Sequence, residues 1–168
     1  GPLKPSCPER LQTHDKRISL AVPEVLADIH RLHSDMNEDI AGYRLIGRRN
    51  VRDNNSWMHN HRRLVKGKDR CQLLMHPDDV AKEGWTEGMH VTITSRVGSI
   101  SAELMPSTEV MPGVISLPHG YGHGLEGTRS KVANSHAGVS CNDVTDEQFL
   151  DQLSGNAAVN GVPVQLSA

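Results

Sequence analysis

From Cys71 onward the chain is written in short apolar runs, each closed by a turn signal. Cys71 to Met75 is one such run, and His90 to Ser95 alternates apolar and polar residues. Val97-Gly98 turns the chain back into Ser99 to Leu104, Pro112-Gly113 introduces Val114 to Leu117, and Val162 to Leu166 comes last. Upstream, Tyr43-Arg44-Leu45-Ile46 is a further strand ended by Gly47. Runs this short with a period of two make strands that cannot bury a face alone. Five or six of them, with single helical turns between, predict a mainly β fold: a small mixed barrel, not a sandwich and not alternating βαβ units.

Helical signals are fewer. Pro23 suits a first helical position, and Val25, Leu26, Ile29 and Leu32 fall on one stripe, so a helix is expected from Pro23 to near Asn37. Pro77, with Asp78 and Asp79 in the first turn and Gly84 as a stop, predicts a short helix after His76. Asp143 to Leu153 is expected to hold another. The polar, proline-bearing residues 1–17 read as a lead-in without fixed structure, and Gly1-Pro2 as the remnant of a protease site. No apolar run approaches the ~20 residues that cross a bilayer. Asp15, Lys16 and Arg17 interrupt the first apolar stretch, so no leader is legible there. Three cysteines, widely spaced and without a Cys-x-x-Cys, argue against a disulfide framework and predict a cytoplasmic chain.

The net charge of −2 conceals a division. Between Arg44 and Arg70 nine Lys and Arg face only Asp53 and Asp69, a local +7, which leaves −9 on the rest. A basic segment on an acidic chain points to an anionic partner held in one place, with no nucleic acid and no membrane implied. That charge is expected to repel itself when no anion is present.

Within the basic segment, Arg48 to Asn60 has almost no apolar periodicity. Its arginines are forked phosphate donors, and Asn50, Asn54, Asn55 and Asn60 offer donor and acceptor together, which suits the edge of a heterocycle. Ser56 and His59 add hydrogen bonds, and Trp57 offers a ring to stack. A second loop, His119-Gly120-Tyr121-Gly122-His123-Gly124, allows backbone to approach a ligand closely. Its two histidines are four apart, but the glycines between them oppose the rigid helix that a metal pair needs. Asn142 precedes a turn and is a candidate base-edge reader. No phosphate loop, dinucleotide fingerprint or nucleophile elbow is present.

Taken in order, these segments resemble one family. They are Leu45-Ile46-Gly47-Arg48-Arg49 with Asn54-Asn55-Ser56-Trp57-Met58-His59-Asn60, then His76-Pro77-Asp78-Asp79-Val80, then Val110 to His123, then Asn142-Asp143-Val144-Thr145-Asp146 before Gly161-Val162-Pro163-Val164. Together they resemble the C-terminal molybdopterin-dinucleotide-binding domain of the molybdopterin oxidoreductases, the family of dimethyl sulfoxide reductase, formate dehydrogenase and nitrate reductase, over about Leu45 to Val164.

The resemblance implies a double-psi β-barrel over residues 41–168, with 1–40 as linker and helix from a preceding domain. It implies a bis(molybdopterin guanine dinucleotide) cofactor carrying Mo or W. Arg48, Arg52, Asn54, Asn55, Ser56, Trp57, His59 and Asn142 are its expected contacts, with His119, Gly120 and Tyr121 beside them. The metal-ligating residue and any iron–sulfur cluster would belong to other domains. The partner implied is therefore the remaining catalytic domains or a large subunit, of formate dehydrogenase or nitrate reductase type, and the chain alone is expected to have no redox activity. The alternatives are a free-standing nucleotide-binding or chaperone-like double-psi barrel, and a zinc protein using His59, His61, His119 and His123.

Overall fold

The computed structural model describes residues 1–36 and 41–168. The chain divides into two compact units, Gly1–Asp39 and Ile40–Ala168. In the first, α1 (Pro23–Met36) begins at the expected proline, and Arg31 pairs with Asp28 and Asp35 one turn away on either side. The expected end near Asn37 lies outside the described residues. The lead-in carries hydrogen-bonded turns, with the Arg10 amide donating to the Ser6 carbonyl and Leu11 to Pro8. Among the described residues no helix is long and apolar enough to cross a membrane.

The second unit is a closed double-psi barrel of six strands. They are β1 (Tyr43–Arg48), β2 (Gln72–Met75), β3 (His90–Thr94), β4 (Ser99–Pro106), β5 (Val114–Pro118) and β6 (Val162–Ser167), in the order β1-β5-β2-β4-β3-β6. β1 runs parallel to β5 and β2 parallel to β4, while the other neighbours are antiparallel. Neither parallel pair is consecutive in the chain, since β2, β3 and β4 lie between β1 and β5 and β3 lies between β2 and β4. The connection that leaves β1 for β2 contains the basic segment. Closure leaves no free sheet edge.

Alternation sends Leu45, Leu73, Met75, Val91, Ile93, Leu104, Ile115, Leu117, Val162 and Val164 inward, all buried in one cluster. Leu104 has no exposed surface. Leu104→Ala is expected to cost about 3 kcal/mol by urea unfolding, the transfer loss plus an unfilled cavity.

α2 (Pro77–Glu83) confirms its sequence signals. His76 Nδ1 accepts the Asp78 amide, and Gly84 ends the helix in the left-handed region, where a side chain would be strained. The helix expected from Asp143 to Leu153 is not formed. A 3-10 turn, Cys141–Val144, takes its first two residues, and Thr145 is already extended. Beyond it, Asp146 accepts the Gln148 amide and Asp151 accepts the Leu153 and Ser154 amides. Local side-chain acceptors here satisfy the amides that a helix would have used. Conversely, the four-residue α3 (Lys131–Asn134) has no sequence signal of its own, because its cap comes from far away: Asn60 Oδ1 accepts the Val132 and Ala133 amides at 3.0 and 3.2 Å.

Candidate functional site

The basic segment leaves the end of β1 with two adjacent arginines on opposite sides. Arg48 turns across the barrel end and donates to the carbonyls of Ser116 (2.5 Å), Gln72 (2.6 Å) and Arg70 (3.2 Å). Arg49 is exposed and its side chain makes no hydrogen bond or ion pair among the described residues. It lines two adjoining hollows.

One, of about 450 Å³, lies between Gly47, Arg49, His119, Cys141, Asn142, Thr145, Val159 and Asn160. The other, open and about 980 Å³, is lined by Arg49, Asn50, Val51, Asn54, Asn55 and Met58. Asn160 Oδ1 accepts the Gly47 amide at 2.8 Å, which anchors the strand end at the rim. Cys141 Sγ sits 3.8 Å from His119 Nδ1 on the floor, and burial pushes its thiol pKa up, so it stays protonated near neutrality.

The amide hook is built by turns. Asn54 and Asn55 both adopt positive φ (42° and 60°), a conformation that asparagine tolerates better than most residues. Behind them the hook is braced. Gly120, at φ +93°, brings its backbone so close that a Cβ there would stand 2.5 Å from the Asn55 carbonyl oxygen. Beneath lies a buried polar cluster. Asp53, 2% exposed, pairs with Arg70 at 3.3 Å and faces His59 Nε2 at 3.5 Å. His59, 1% exposed, meets His123 Nε2 through its Nδ1 at 2.8 Å, packs on the Tyr121 ring at 4.3 Å, and has His136 on its carbonyl.

The expected site residues therefore separate. Asn54 and Asn55 share one hollow and His119 and Asn142 the other. Gly120 supports the hook, as does Ser56, whose carbonyl accepts the His59 amide. Arg48, His59 and Tyr121 point away from both hollows into structural contacts. Arg52 is exposed outside both linings, and Trp57 is 78% exposed, also outside them. Arg49, Asn50, Thr145 and Asn160 belong to the linings although they were not among the expected cofactor contacts. Neighbouring residues on an extended backbone face opposite ways, but nothing in Arg48-Arg49 says which of the pair faces the hollow.

Burial holds the pKa of His59 below the ordinary histidine value, partly opposed by Asp53. Burial does the same to His123, aided by the neighbouring His59. In the unfolded chain both recover a pKa near 6.5. The unfolded state therefore binds more protons as pH falls, and stability drops below about pH 6.5. Thermal melts from about pH 7.5 to 5.5 should show Tm falling, with a shallower fall in His123→Gln.

The sequence of residues 43–163 matches the family described as Molydopterin dinucleotide binding domain. The chain belongs to this family. Two relatives share its domain. One is a tetrathionate reductase polypeptide of Salmonella typhimurium, 28% identical over 62% of this chain and 12% of that protein. The other is ArrA, the molybdopterin-containing polypeptide of the arsenate respiratory reductase of Chrysiogenes arsenatis, 29% identical over 64% and 13%. The chain thus spans about an eighth of the length of these relatives. The fold also matches acetylene hydratase from Pelobacter acetylenicus, with TM-score 0.62 over 84% of this chain and 19% of that one, at 18% identity.

Membership in the molybdopterin dinucleotide-binding family implies a molybdenum or tungsten pterin cofactor, and the donor chemistry fits one. The two linings together offer one unpaired guanidinium and the carboxamides of Asn50, Asn54, Asn55, Asn142 and Asn160, with no carboxylate between them. A pyrophosphate needs the cation and the lack of competing acids, and a pterin or purine edge needs amides.

Proposed function

We propose that this chain is the part of a molybdenum or tungsten oxidoreductase that holds the guanine dinucleotide form of the pterin cofactor, as a C-terminal domain or small subunit. The observation that carries this reading is Arg49, exposed and unpaired between two amide-lined hollows on a chain of the dinucleotide-binding family. Arg49 would hold pyrophosphate, Asn54 and Asn55 one end of the dinucleotide, and Asn142 with the Asn160 amide the other. His119 and Thr145 would complete the rim. When bound, the group supplies the redox or oxygen-transfer chemistry at its metal. The residues of this chain bind and orient it.

The parent enzyme is read as a formate dehydrogenase- or nitrate reductase-like protein by its motif order. Tetrathionate and arsenate reductases, the named functions of its relatives, are the second reading, favoured by the pairwise identities. Catalytic groups, a metal ligand and any iron–sulfur cluster are assigned to its other domains, and a cytoplasmic location to the whole. The test is calorimetric titration of the chain with purified bis(molybdopterin guanine dinucleotide). Saturable one-to-one binding is expected, competed by guanosine diphosphate (GDP). Failure of both to bind overturns the reading.

A further inference from the structure

The hook that carries Asn54 and Asn55 rests on a buried pair of histidines that the binding reading does not use. His59 and His123 meet nitrogen to nitrogen at 2.8 Å, which needs one ring to donate and the other to accept. The groups facing the pair are Asp53 and Arg70 on the Nε2 side of His59, Tyr121 against its ring, and His136 at its carbonyl. Asp53 stands 3.5 Å from His59 Nε2 but shares that oxygen with Arg70, so it only partly offsets a charge added to the rings. One proton on the pair keeps a hydrogen bond but buries a charge. A second makes both facing nitrogens donors and abolishes the bond.

The mechanical link to the hook is short. The His59 amide donates to the Ser56 carbonyl, Met58 to Asp53, and Trp57 to Asn54, so the turns between Asp53 and His59 form one hydrogen-bonded unit. His123 belongs to the glycine loop whose Gly120 backbone abuts Asn55. The pair therefore ties the two loops at one point and Gly120 ties them at another.

We propose that His59 and His123 are positioning residues for the dinucleotide site: with both rings neutral they hold Asn54 and Asn55 in the hollow, and proton uptake releases the hook. The proposal rests on the binding reading for its consequence, though not for its test. The lowered proton affinity that burial gives both rings places release on the acid side of ordinary histidine behaviour. A hook held in shape for about a tenth of the time weakens apparent ligand affinity about ten-fold.

The test follows the backbone amide signals of Asn54 and Asn55 by NMR from about pH 7.5 to 5, in the 168-residue chain and in His59→Gln and His123→Gln. In the unaltered chain both signals should shift together, with a midpoint below about 6.5. Both variants should lose or displace that transition while remaining folded at neutral pH. If His59→Gln fails to fold, His123→Gln decides.

GDP affinity measured in parallel should fall about ten-fold on acidification in the unaltered chain and much less in the variants, the probe's own titration being common to all. Static signals in the unaltered chain, or an identical transition in the folded variants, overturns the proposal. Absence of GDP binding at every pH would count against the binding reading, while the amide signals would still decide this one.

Discussion

Arg70→Ala is expected to lower the unfolding free energy by about 3 kcal/mol or more, the range found when one partner of a buried ion pair is removed. Asp53 is 2% exposed, and with Arg70 gone its carboxylate keeps only the distant His59 nitrogen. The same change strips donors from the Leu64 and Lys66 carbonyls. Urea unfolding at about pH 7.5 measures the loss. Adding Asp53→Asn should recover a large part of it, because the cost lies in the orphaned charge rather than in the missing attraction. Equal destabilisation in the single and double variants would show that the carbonyl contacts, and not the buried carboxylate, set the cost.

The second large effect separates two adjacent arginines. Arg49→Ala should weaken dinucleotide binding by roughly ten- to a hundred-fold, the worth of about 1.5–3 kcal/mol for a charge-assisted hydrogen bond, and leave Tm nearly unchanged. Arg48→Ala should do the reverse. Its guanidinium satisfies the Ser116, Gln72 and Arg70 carbonyls at the barrel end, so its loss should destabilise the fold by a few kcal/mol. Binding per folded molecule should then change little. Titration calorimetry alongside thermal melts reads both quantities on the same samples. Similar binding losses in the two variants would return Arg48 to the site.

Much of the barrel was legible because strand periodicity and turn chemistry are local. Pro77 and Gly84 bracket α2 as their backbone preferences require, and Pro112-Gly113 opens β5. The helix expected after Asp143 failed for an equally local reason, acceptors on Asp146 and Asp151 that compete for its amides. α3 escaped notice for a non-local one, since the residue that caps it is Asn60, more than seventy positions away.

In the site, residue types identified the segment, and the fold divided it. A run of Arg, Asn and His looks uniformly suited to a phosphorylated heterocycle. The structure places Arg49, Asn54, Asn55 and Asn142 along the hollows, and sends Arg48 and His59 into the support beneath. Composition and spacing alone determined that this chain closes short strands into a barrel and gathers its cations and amides in one connection, because those properties follow from each residue and its near neighbours. Which cation meets solvent, and which histidine disappears under the loop, depended on carbonyls and ring nitrogens brought in from β2, β5 and the glycine loop, partners that exist only once the barrel has closed.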